Sequence, residues 1–246
     1  MRIFVINLSR DIDRKVHMEK QLYGFGLKAD FVEATDGRNL SEEEIQKIYN
    51  KEKSLMYLQE PLRKSEVGCA HSHAKIYKKM IEEHIPYALV LEDDIVLDRR
   101  VLQVITSDFI TASNAEWLQL NYPDVGLPFL GNWLRAAWTQ AKRNVLSLPY
   151  SILKFPYIVF LTCIESMRES FSKEPTAARF ARPLYLAGAY IVTLQGAKKL
   201  LPLCEPILFA ADMLPNKARI LTHLQMKGIT PLLARQQTDR FQSNMI

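Results

Sequence analysis

Residues 87–96 place a short apolar run directly before three consecutive carboxylates, Glu92, Asp93 and Asp94, after which apolar residues resume. The run has no amphipathic period, which is typical of a strand buried on both faces of a parallel sheet. Because ligand sites in open α/β sheets lie beyond the carboxyl ends of such strands, we expect this strand to deliver the three carboxylates to the mouth of a cleft.

These three carboxylates are candidate metal ligands. Adjacent negative charges repel one another, a divalent cation would relieve that repulsion, and hard oxygen ligands suit Mn²⁺ or Mg²⁺. Alternation along an extended chain puts Glu92 and Asp94 on one face and Asp93 on the other. We predict Asp94 as the main ligand, with Glu92 or Asp93 helping directly or through water. The alternative is a solvated acidic turn, since Asp is common in turns.

The rest of the chain alternates between strand and helix patterns. A strand at 2–8, a helix at 11–23 and a strand at 28–34 form a βαβ opening, typical of α/β folds. The predicted face of this helix consists of Ile12, Val16, Glu19, Leu22 and Tyr23. Residues 51–64 are predicted as a loop. Further helices are predicted at 41–49, 66–84, 195–203 and 213–227, and further strands at 116–121, 184–194 and 229–233.

The positive charge is concentrated in one stretch. The 246-residue chain has 32 Lys and Arg against 27 Asp and Glu, a formal net charge of +5. Residues 127–183 hold eight of these bases and three of the acids, a difference that equals the whole excess. Pro149, Lys154 and Pro156 interrupt its apolar run, which argues against a transmembrane helix. Because the charge is local and no nucleic-acid motif accompanies it, we expect no nucleic-acid partner.

Cysteine usage and the start of the chain indicate the compartment. Cys69, Cys163 and Cys204 are far apart and odd in number, and no CxxC is present. We expect buried free thiols in a reducing compartment. The chain begins with a strand-like run and lacks the apolar region of a signal peptide, so we expect a cytoplasmic protein.

Five short blocks of sequence occur in order along the chain, at residues 6–14, 34–37, 65–73, 91–94 and 187–201. They carry Ile-Asn-Leu with a later Arg, Ala-Thr-Asp-Gly, Ser-Glu-Val-Gly-Cys-Ala-His-Ser-His, Leu-Glu-Asp-Asp, and Ala-Gly-Ala-Tyr-Ile-Val with a later Gly-Ala and Leu-Leu. Together they resemble the glycosyltransferase family 25 proteins of lipooligosaccharide and lipopolysaccharide biosynthesis. The resemblance implies an α/β fold of the GT-A, Rossmann-like type, with a mixed, mostly parallel sheet flanked by helices. Residues 1–246 would form a single catalytic domain, with 127–183 as a basic, helical insertion.

The resemblance also implies an activity. Family 25 enzymes transfer a hexose from a UDP-sugar with inversion, using Mn²⁺ or a similar ion bound by the acidic triplet. We favour galactose over glucose, and a lipooligosaccharide or lipopolysaccharide core saccharide as the acceptor. A diphosphate leaving group needs positive charge where negative charge develops, which a metal held by Asp94 would supply. The rival interpretation is a non-catalytic nucleotide- or saccharide-binding module.

Inversion requires a general base for the acceptor hydroxyl. Asp212 is the first candidate, because it lies in the region where GT-A enzymes often place the acceptor-side acid. Its alternative role is to cap the helix predicted to begin at Met213. Asp124 and Glu205 are reserve candidates.

Four further residues are candidate donor or sugar contacts. Asn7 and Arg14 follow the first strand, where GT-A folds commonly bind the nucleotide, and Arg14 could pair with a phosphate. Gly188 would let the backbone approach the sugar closely, with Tyr190 beside it. Alternatively, Arg14 is a surface arginine. Gly188 would also suit a packed strand with a bulge, an interpretation that does not exclude contact with the sugar.

The histidine-containing block carries a further candidate. Ser72, or His71, could contact the donor phosphate or sugar. His71 and His73 are two residues apart on a predicted helix and cannot share one metal ion there, so we reject zinc binding by that pair. We expect His73 to be a hydrogen-bonded core residue and Glu66 to be a first-turn acid favoured by the helix dipole.

Aromatic residues interleave with Arg and Lys in the basic insertion, a mixture that suits an anionic membrane surface. This predicts peripheral contact through 127–183 with the cytoplasmic face of the bacterial inner membrane. Two alternatives are a subdomain that binds phosphorylated core sugars and a plain helical cap.

Overall fold

The computed structural model describes residues 1–122, 173–180 and 183–237. Most of the basic insertion, Asp124 and Cys163 lie outside these residues. The strands are β1 (Arg2–Asn7), β2 (Asp30–Glu33), β3 (Tyr87–Glu92), β4 (Ile95–Leu97), β5 (Trp117–Gln119), β6 (Thr176–Ala178), β7 (Ala189–Thr193), β8 (Met226–Thr230) and β9 (Ala234–Gln236). The α-helices are α1 (Ile12–Gly24), α2 (Glu42–Ile48), α3 (Lys51–Leu55), α4 (Lys64–Glu82), α5 (Val101–Val104), α6 (Ser107–Ser113), α7 (Leu194–Leu200) and α8 (Leu214–Leu221).

Seven strands form one mixed sheet in the order β2-β1-β3-β7-β5-β8-β6. β1 pairs in parallel with β2 and β3, and β5 pairs in parallel with β8, whereas β7 and β6 run antiparallel to their neighbours. Five of the seven strands therefore point the same way, which confirms the predicted mixed, mostly parallel α/β sheet.

Both faces of the sheet are covered by helices. Alternation along β3 sends Ala88 and Val90 into a cluster with α4, α7 and α8, and Leu89 and Leu91 into a second cluster with α1, α5 and α6. All four side chains are fully buried. Burying each of the larger ones stabilises the fold by about 1.5–3 kcal/mol relative to exposure. This double burial is the reason for the continuous apolar run before the carboxylates.

A second, two-stranded sheet lies beside the acidic residues. Asp93 and Asp94 form a turn after β3, and the chain then enters β4, which pairs antiparallel with β9. The backbone N–H of Gln237 donates to the carbonyl oxygen of Asp94 at 2.8 Å. The end of the described chain is thereby held against the acidic turn.

Several elements differ from the sequence-based predictions. Residues 51–55 are helical rather than loop, and α5 and α6 were not predicted. The helix predicted at 213–227 ends at Leu221, and Gly228 lies inside β8 rather than ending a helix. A Cβ at Gly228 would lie 2.6 Å from the Phe180 ring, so close ring packing explains the glycine. β6 lies in a stretch predicted to be helical.

The described helices include none with the length and apolar character needed to cross a membrane. Of the cysteines in the described part, Cys204 is buried, Cys69 is only partly buried, and both are free thiols.

Candidate active site

A cleft opens beyond the carboxyl ends of the parallel strands β1, β2 and β3. The register pairs Ile6 of β1 with Glu92 of β3 and Asn7 with Glu33 of β2, so these three strand ends meet at one edge of the sheet. The walls of the cleft include all three predicted carboxylates, together with Arg10, Arg14, Thr35, Asp36, Gly37, Arg38, Cys69, Ser72 and Gln236. The acidic triplet is therefore at a cleft mouth, where the apolar run predicted it.

Asp93 is held by the two residues predicted to bind the donor. Its Oδ1 accepts a hydrogen bond from Nη1 of Arg14 at 3.0 Å, and its Oδ2 accepts one from Nδ2 of Asn7 at 2.8 Å. All three residues are buried. Burial raises the pKa of Asp93, and the hydrogen bonds from Asn7 and Arg14 oppose that rise. Arg14 is thus a buried residue rather than a surface arginine.

Asp94 has the environment expected of a cation ligand. Its Oδ1 is buried and has no hydrogen-bond partner in the described part of the chain, and Nε2 of Gln236 lies 3.3 Å from its Oδ2. Burial, followed by the negative charges of Glu92 and Asp93, raises the pKa of Asp94 to about 7. A buried oxygen without a donor beside two like charges fits a divalent cation.

Glu92 is the second residue that fits a cation. Its carboxylate lines the cleft and is about one-fifth exposed, whereas Asp93 has both oxygens engaged by Arg14 and Asn7. The arrangement therefore favours Asp94 and Glu92 as the oxygen ligands of a hard ion. Asp93 fits poorly as a direct ligand, because its two hydrogen bonds already compensate its charge.

Asp212 lies in the turn that precedes α8. The N-cap of that helix is Met213, whose side chain makes no capping hydrogen bond, so Asp212 does not occupy the predicted N-cap position. Burial raises the pKa of Asp212, and the negative charges of Glu66 and Glu92 raise it further. Asp212 therefore belongs to the same electrostatic environment as the acidic triplet. Glu205, a reserve candidate, is about half exposed and lies 3.8 Å from the Lys78 amine.

Ser72 and His71 tie helix α4 to the loop that follows β2. The Ser72 hydroxyl donates to the carbonyl oxygen of Gly68 at 2.8 Å and accepts from the N–H of Thr35 at 2.8 Å. Nδ1 of His71 lies 2.9 Å from the Thr35 hydroxyl oxygen. Ser72 borders the cleft, but both hydrogen bonds of its hydroxyl are made within the protein.

Gly188 and Tyr190 act on the site through packing. A Cβ on Gly188 would lie 2.7 Å from Cδ1 of Ile95. The carbonyl oxygen of Gly188 accepts a hydrogen bond from the N–H of Glu92 at 2.8 Å. Tyr190 was predicted as a substrate contact, yet its side chain is completely buried and stacks on Trp117 with 3.8 Å between ring centroids. That placement corrects the prediction, because a ligand in the cleft cannot reach the ring.

The expected role of His73 is confirmed. His73 is fully buried, and its Nδ1 lies 2.7 Å from the Tyr190 hydroxyl oxygen. Glu66 lies in the first turn of α4, as expected, and its carboxylate accepts from the N–H of Arg63 at 2.7 Å.

Cys69 and Gln236 are among the cleft residues that sequence reasoning missed. Cys69 lies one helical turn before His73, and that spacing was the available signal. Gln236 lies in a stretch predicted only as a polar tail, and no local pattern pointed to its contact with Asp94.

The sequence was compared with known proteins and protein families. A family model described as glycosyltransferase family 25 (LPS biosynthesis protein) matches residues 1–215. The chain belongs to glycosyltransferase family 25. The match includes the acidic turn and Asp212 and ends before Gln236.

Curated relatives of this family 25 chain are longer proteins. Procollagen galactosyltransferase 2 of Mus musculus is 29% identical over 153 residues, covering 56% of this chain and 24% of the relative. A glycosyltransferase 25 family member of Aedes aegypti is 36% identical over 110 residues, covering 42% of this chain and 18% of the relative. Procollagen galactosyltransferase 1-B of Xenopus laevis is 25% identical over 188 residues, covering 70% of this chain and 28% of the relative. The chain therefore spans about a quarter of the length of the relatives it matches.

Proposed function

We propose that this protein is an inverting, metal-dependent glycosyltransferase. It would transfer a hexose from a UDP-sugar to a core saccharide of lipooligosaccharide or lipopolysaccharide. The observation that carries the proposal is the buried Oδ1 of Asp94, which has no hydrogen-bond partner among the described residues and lies beside Glu92 in a cleft of a family 25 chain. Such an oxygen is costly to bury unless a cation or a donor compensates it.

Asp94 and Glu92 would hold Mn²⁺ or Mg²⁺. The bound ion would neutralise charge on the diphosphate as it leaves. Asp93 would contribute indirectly, because it positions Arg14, whose Nη1 also lies 4.0 Å from Oδ2 of Asp94. Arg14 thereby adds a positive charge to the edge of the cleft where a phosphate would bind. Asn7 holds the other oxygen of Asp93 and fixes this arrangement.

Asp212 would accept the proton of the acceptor hydroxyl. Burial and the charges of Glu66 and Glu92 raise its pKa, and a carboxylate with a raised pKa is a stronger base. Proton transfer to Asp212 would also relieve the repulsion among these three acids. Ser72 and Gly188 would shape the donor side of the cleft, Ser72 by fixing the Thr35 loop and Gly188 by allowing close packing behind Glu92.

Galactose is the proposed sugar, because several curated relatives are named procollagen galactosyltransferases. Their names refer to procollagen as the acceptor, whereas the family description refers to LPS biosynthesis. The proposed acceptor follows the family description and the resemblance of the five sequence blocks.

UDP release by the purified protein tests this proposal. A panel of UDP-sugars would be assayed with and without Mn²⁺, and with deacylated lipooligosaccharide added. We expect Mn²⁺-dependent release from UDP-galactose that accelerates with the acceptor. UDP binding without release from any donor would favour the non-catalytic binding module, and an absence of UDP binding would contradict the proposal as a whole.

The location we propose is cytoplasmic, with peripheral contact at the inner membrane through residues 127–183. Its support is the excess of basic and aromatic residues in that stretch. The wild type should pellet with anionic vesicles, and neutralising Arg135, Lys142 and Arg143 should abolish pelleting. Equal pelleting of the variant would refute membrane contact.

A further inference from the structure

Glu92 faces two side chains of helix α4 as well as the acidic turn. Its Oε1 lies 3.4 Å from Nε2 of His73 and 3.8 Å from Sγ of Cys69. Cys69 and His73 are four residues apart, so both project from the same face of the helix. One ligand atom from each of the three residues lies within 4.8 Å of the other two.

These separations are close to those between the ligands of one zinc ion. With Zn–S near 2.3 Å and Zn–N and Zn–O near 2.0 Å, tetrahedral geometry places neighbouring ligand atoms roughly 3.3–3.6 Å apart. The observed distances from Glu92 to His73 and Cys69 differ from this range by a few tenths of an ångström at most. The third separation, between the ligand atoms of Cys69 and His73, is at most 4.8 Å, so side-chain rotations that bring these two atoms closer would place all three around one ion.

The surroundings of His73 are those of a metal-binding histidine. Metal-bound imidazoles usually make a hydrogen bond through the second ring nitrogen, which fixes the orientation of the ring. Nδ1 of His73 lies 2.7 Å from the Tyr190 hydroxyl oxygen, which in turn lies 3.0 Å from that of Tyr77. The two hydroxyls can reverse their donor directions together. Nδ1 can then carry the proton and leave the lone pair of Nε2 for a metal.

We propose that Cys69, His73 and Glu92 form a second metal site, selective for thiophilic divalent ions such as Zn²⁺. Thiolate and imidazole ligands favour zinc, whereas Mg²⁺ and Mn²⁺ prefer the carboxylate oxygens of the acidic turn. Binding replaces the proton of the Cys69 thiol, which passes to solvent. Cys69 and Glu92 line the cleft, which gives the ion an entry path and leaves its fourth position open to water.

Glu92 belongs to both sites, so the two ions compete for it. Zinc bound by Cys69 and His73 withdraws this carboxylate from the pair it forms with Asp94. Zinc should therefore lower the metal-dependent transfer described above. This consequence rests on the proposed function, whereas the existence of the zinc site does not.

Cobalt binding tests the site directly, because Co²⁺ replaces zinc and a thiolate ligand gives it a charge-transfer absorption band. The double variant Cys163→Ser/Cys204→Ser leaves Cys69 as the last of the three thiols in the chain. We expect this protein to show the band at one Co²⁺ per chain, and Zn²⁺ but not excess Mg²⁺ to displace the ion. Adding Cys69→Ser should abolish the band, with circular dichroism confirming that the variant is folded.

Two further variants separate the zinc site from its neighbours. Tyr190→Phe removes the outer hydrogen bond of His73 and should weaken zinc binding about 10- to 100-fold, measured by competition with a chelating dye. Asp94→Asn should retain the cobalt band even though it removes the proposed hard-ion site. Absence of the band in the double variant would overturn the proposal, as would its persistence after Cys69→Ser, whatever the transfer assays report.

Discussion

Nη1 of Arg14 donates to Oδ1 of Asp93 at 3.0 Å, and each of the two side chains is only 10% exposed. This contact joins the first helix to the acidic turn across 79 residues of sequence. It gives the middle carboxylate of the triplet a structural partner and leaves the outer two facing the cleft.

Removing Arg14 should destabilise the protein. Arg14→Ala leaves the buried charge of Asp93 without its partner, which typically costs about 3–5 kcal/mol in the free energy of unfolding. The matched control is Arg10→Ala, because Arg10 pairs with Asp36 at a site where its own side chain is 45% exposed. Exposed pairs contribute at most about 1 kcal/mol. Urea unfolding would compare the two variants, and equal losses would contradict a structural role for the buried pair.

Asp94 should make the metal-free protein less stable as the pH rises. Its pKa is raised from 3.8 to about 7, so the folded state binds more protons than the unfolded state between these values. The free energy of unfolding of the chelated wild type should therefore fall across this range, and Asp94→Asn should remove that contribution. In thermal melts with chelator at pH 8, we expect the variant to have the higher Tm.

At pH 8, Mn²⁺ should make the Tm of the wild type higher than that of Asp94→Asn. It should raise the Tm of the wild type, because a ligand that binds only the folded state stabilises it. The Tm of Asp94→Asn should stay unchanged, and turnover should be lost. A similar increase in both proteins would place the ion elsewhere.

Asp212→Asn should abolish turnover while leaving UDP affinity close to that of the wild type. The amide cannot accept the proton of the acceptor hydroxyl, whereas the groups proposed to bind the nucleotide are untouched. The control is Glu205→Gln, which neutralises an acid that is about half exposed and paired with Lys78. UDP-release rates and calorimetric UDP binding would distinguish the variants. Normal turnover in Asp212→Asn would exclude this residue as the base.

Gly68→Ala should destabilise the protein and disturb the cleft. A Cβ on Gly68 would lie 2.5 Å from the backbone nitrogen of Gly37 and 2.6 Å from the carbonyl oxygen of Thr35. Relieving this clash must move α4 or the loop, at a typical cost of about 1–3 kcal/mol. Gly24→Ala is the control, because a Cβ there would have no neighbour within 4 Å among the described atoms. Urea midpoints that are equal for the two variants would contradict the close packing.

The general architecture could be predicted from the sequence because each element leaves a pattern in its own short stretch of residues. The βαβ opening, the buried strand before the carboxylates and the long helix α4 follow from apolar periodicity and turn residues. The buried face of α1 was predicted only in part: Leu22 is buried as expected, but Ile12 and Tyr23 are exposed, whereas Arg14 and Met18 are buried. A buried arginine does not fit an apolar helix face. Arg14 is buried because it pairs with Asp93, which lies 79 residues further along the chain.

The residues that line the cleft could be predicted from the sequence only in part. The three carboxylates were found because they are consecutive, but Asp93 and Asp94 form a turn in which strand alternation no longer determines direction. Tyr190 was misplaced because the strand pattern does not reveal that His73 and Trp117 surround its side chain. Contacts between segments far apart in the chain leave no periodic trace.

The contact between Gln236 and Asp94 also determines when the cleft can be completed during synthesis. The two residues are separated by 142 positions, and β9 must pair with β4 before the amide reaches the carboxylate. A nascent chain that has emerged only as far as α8 would carry the carboxylates and Asp212 without this enclosing strand. The ribosome must therefore release nearly the whole described chain before Gln236 can close the cleft around the acidic turn.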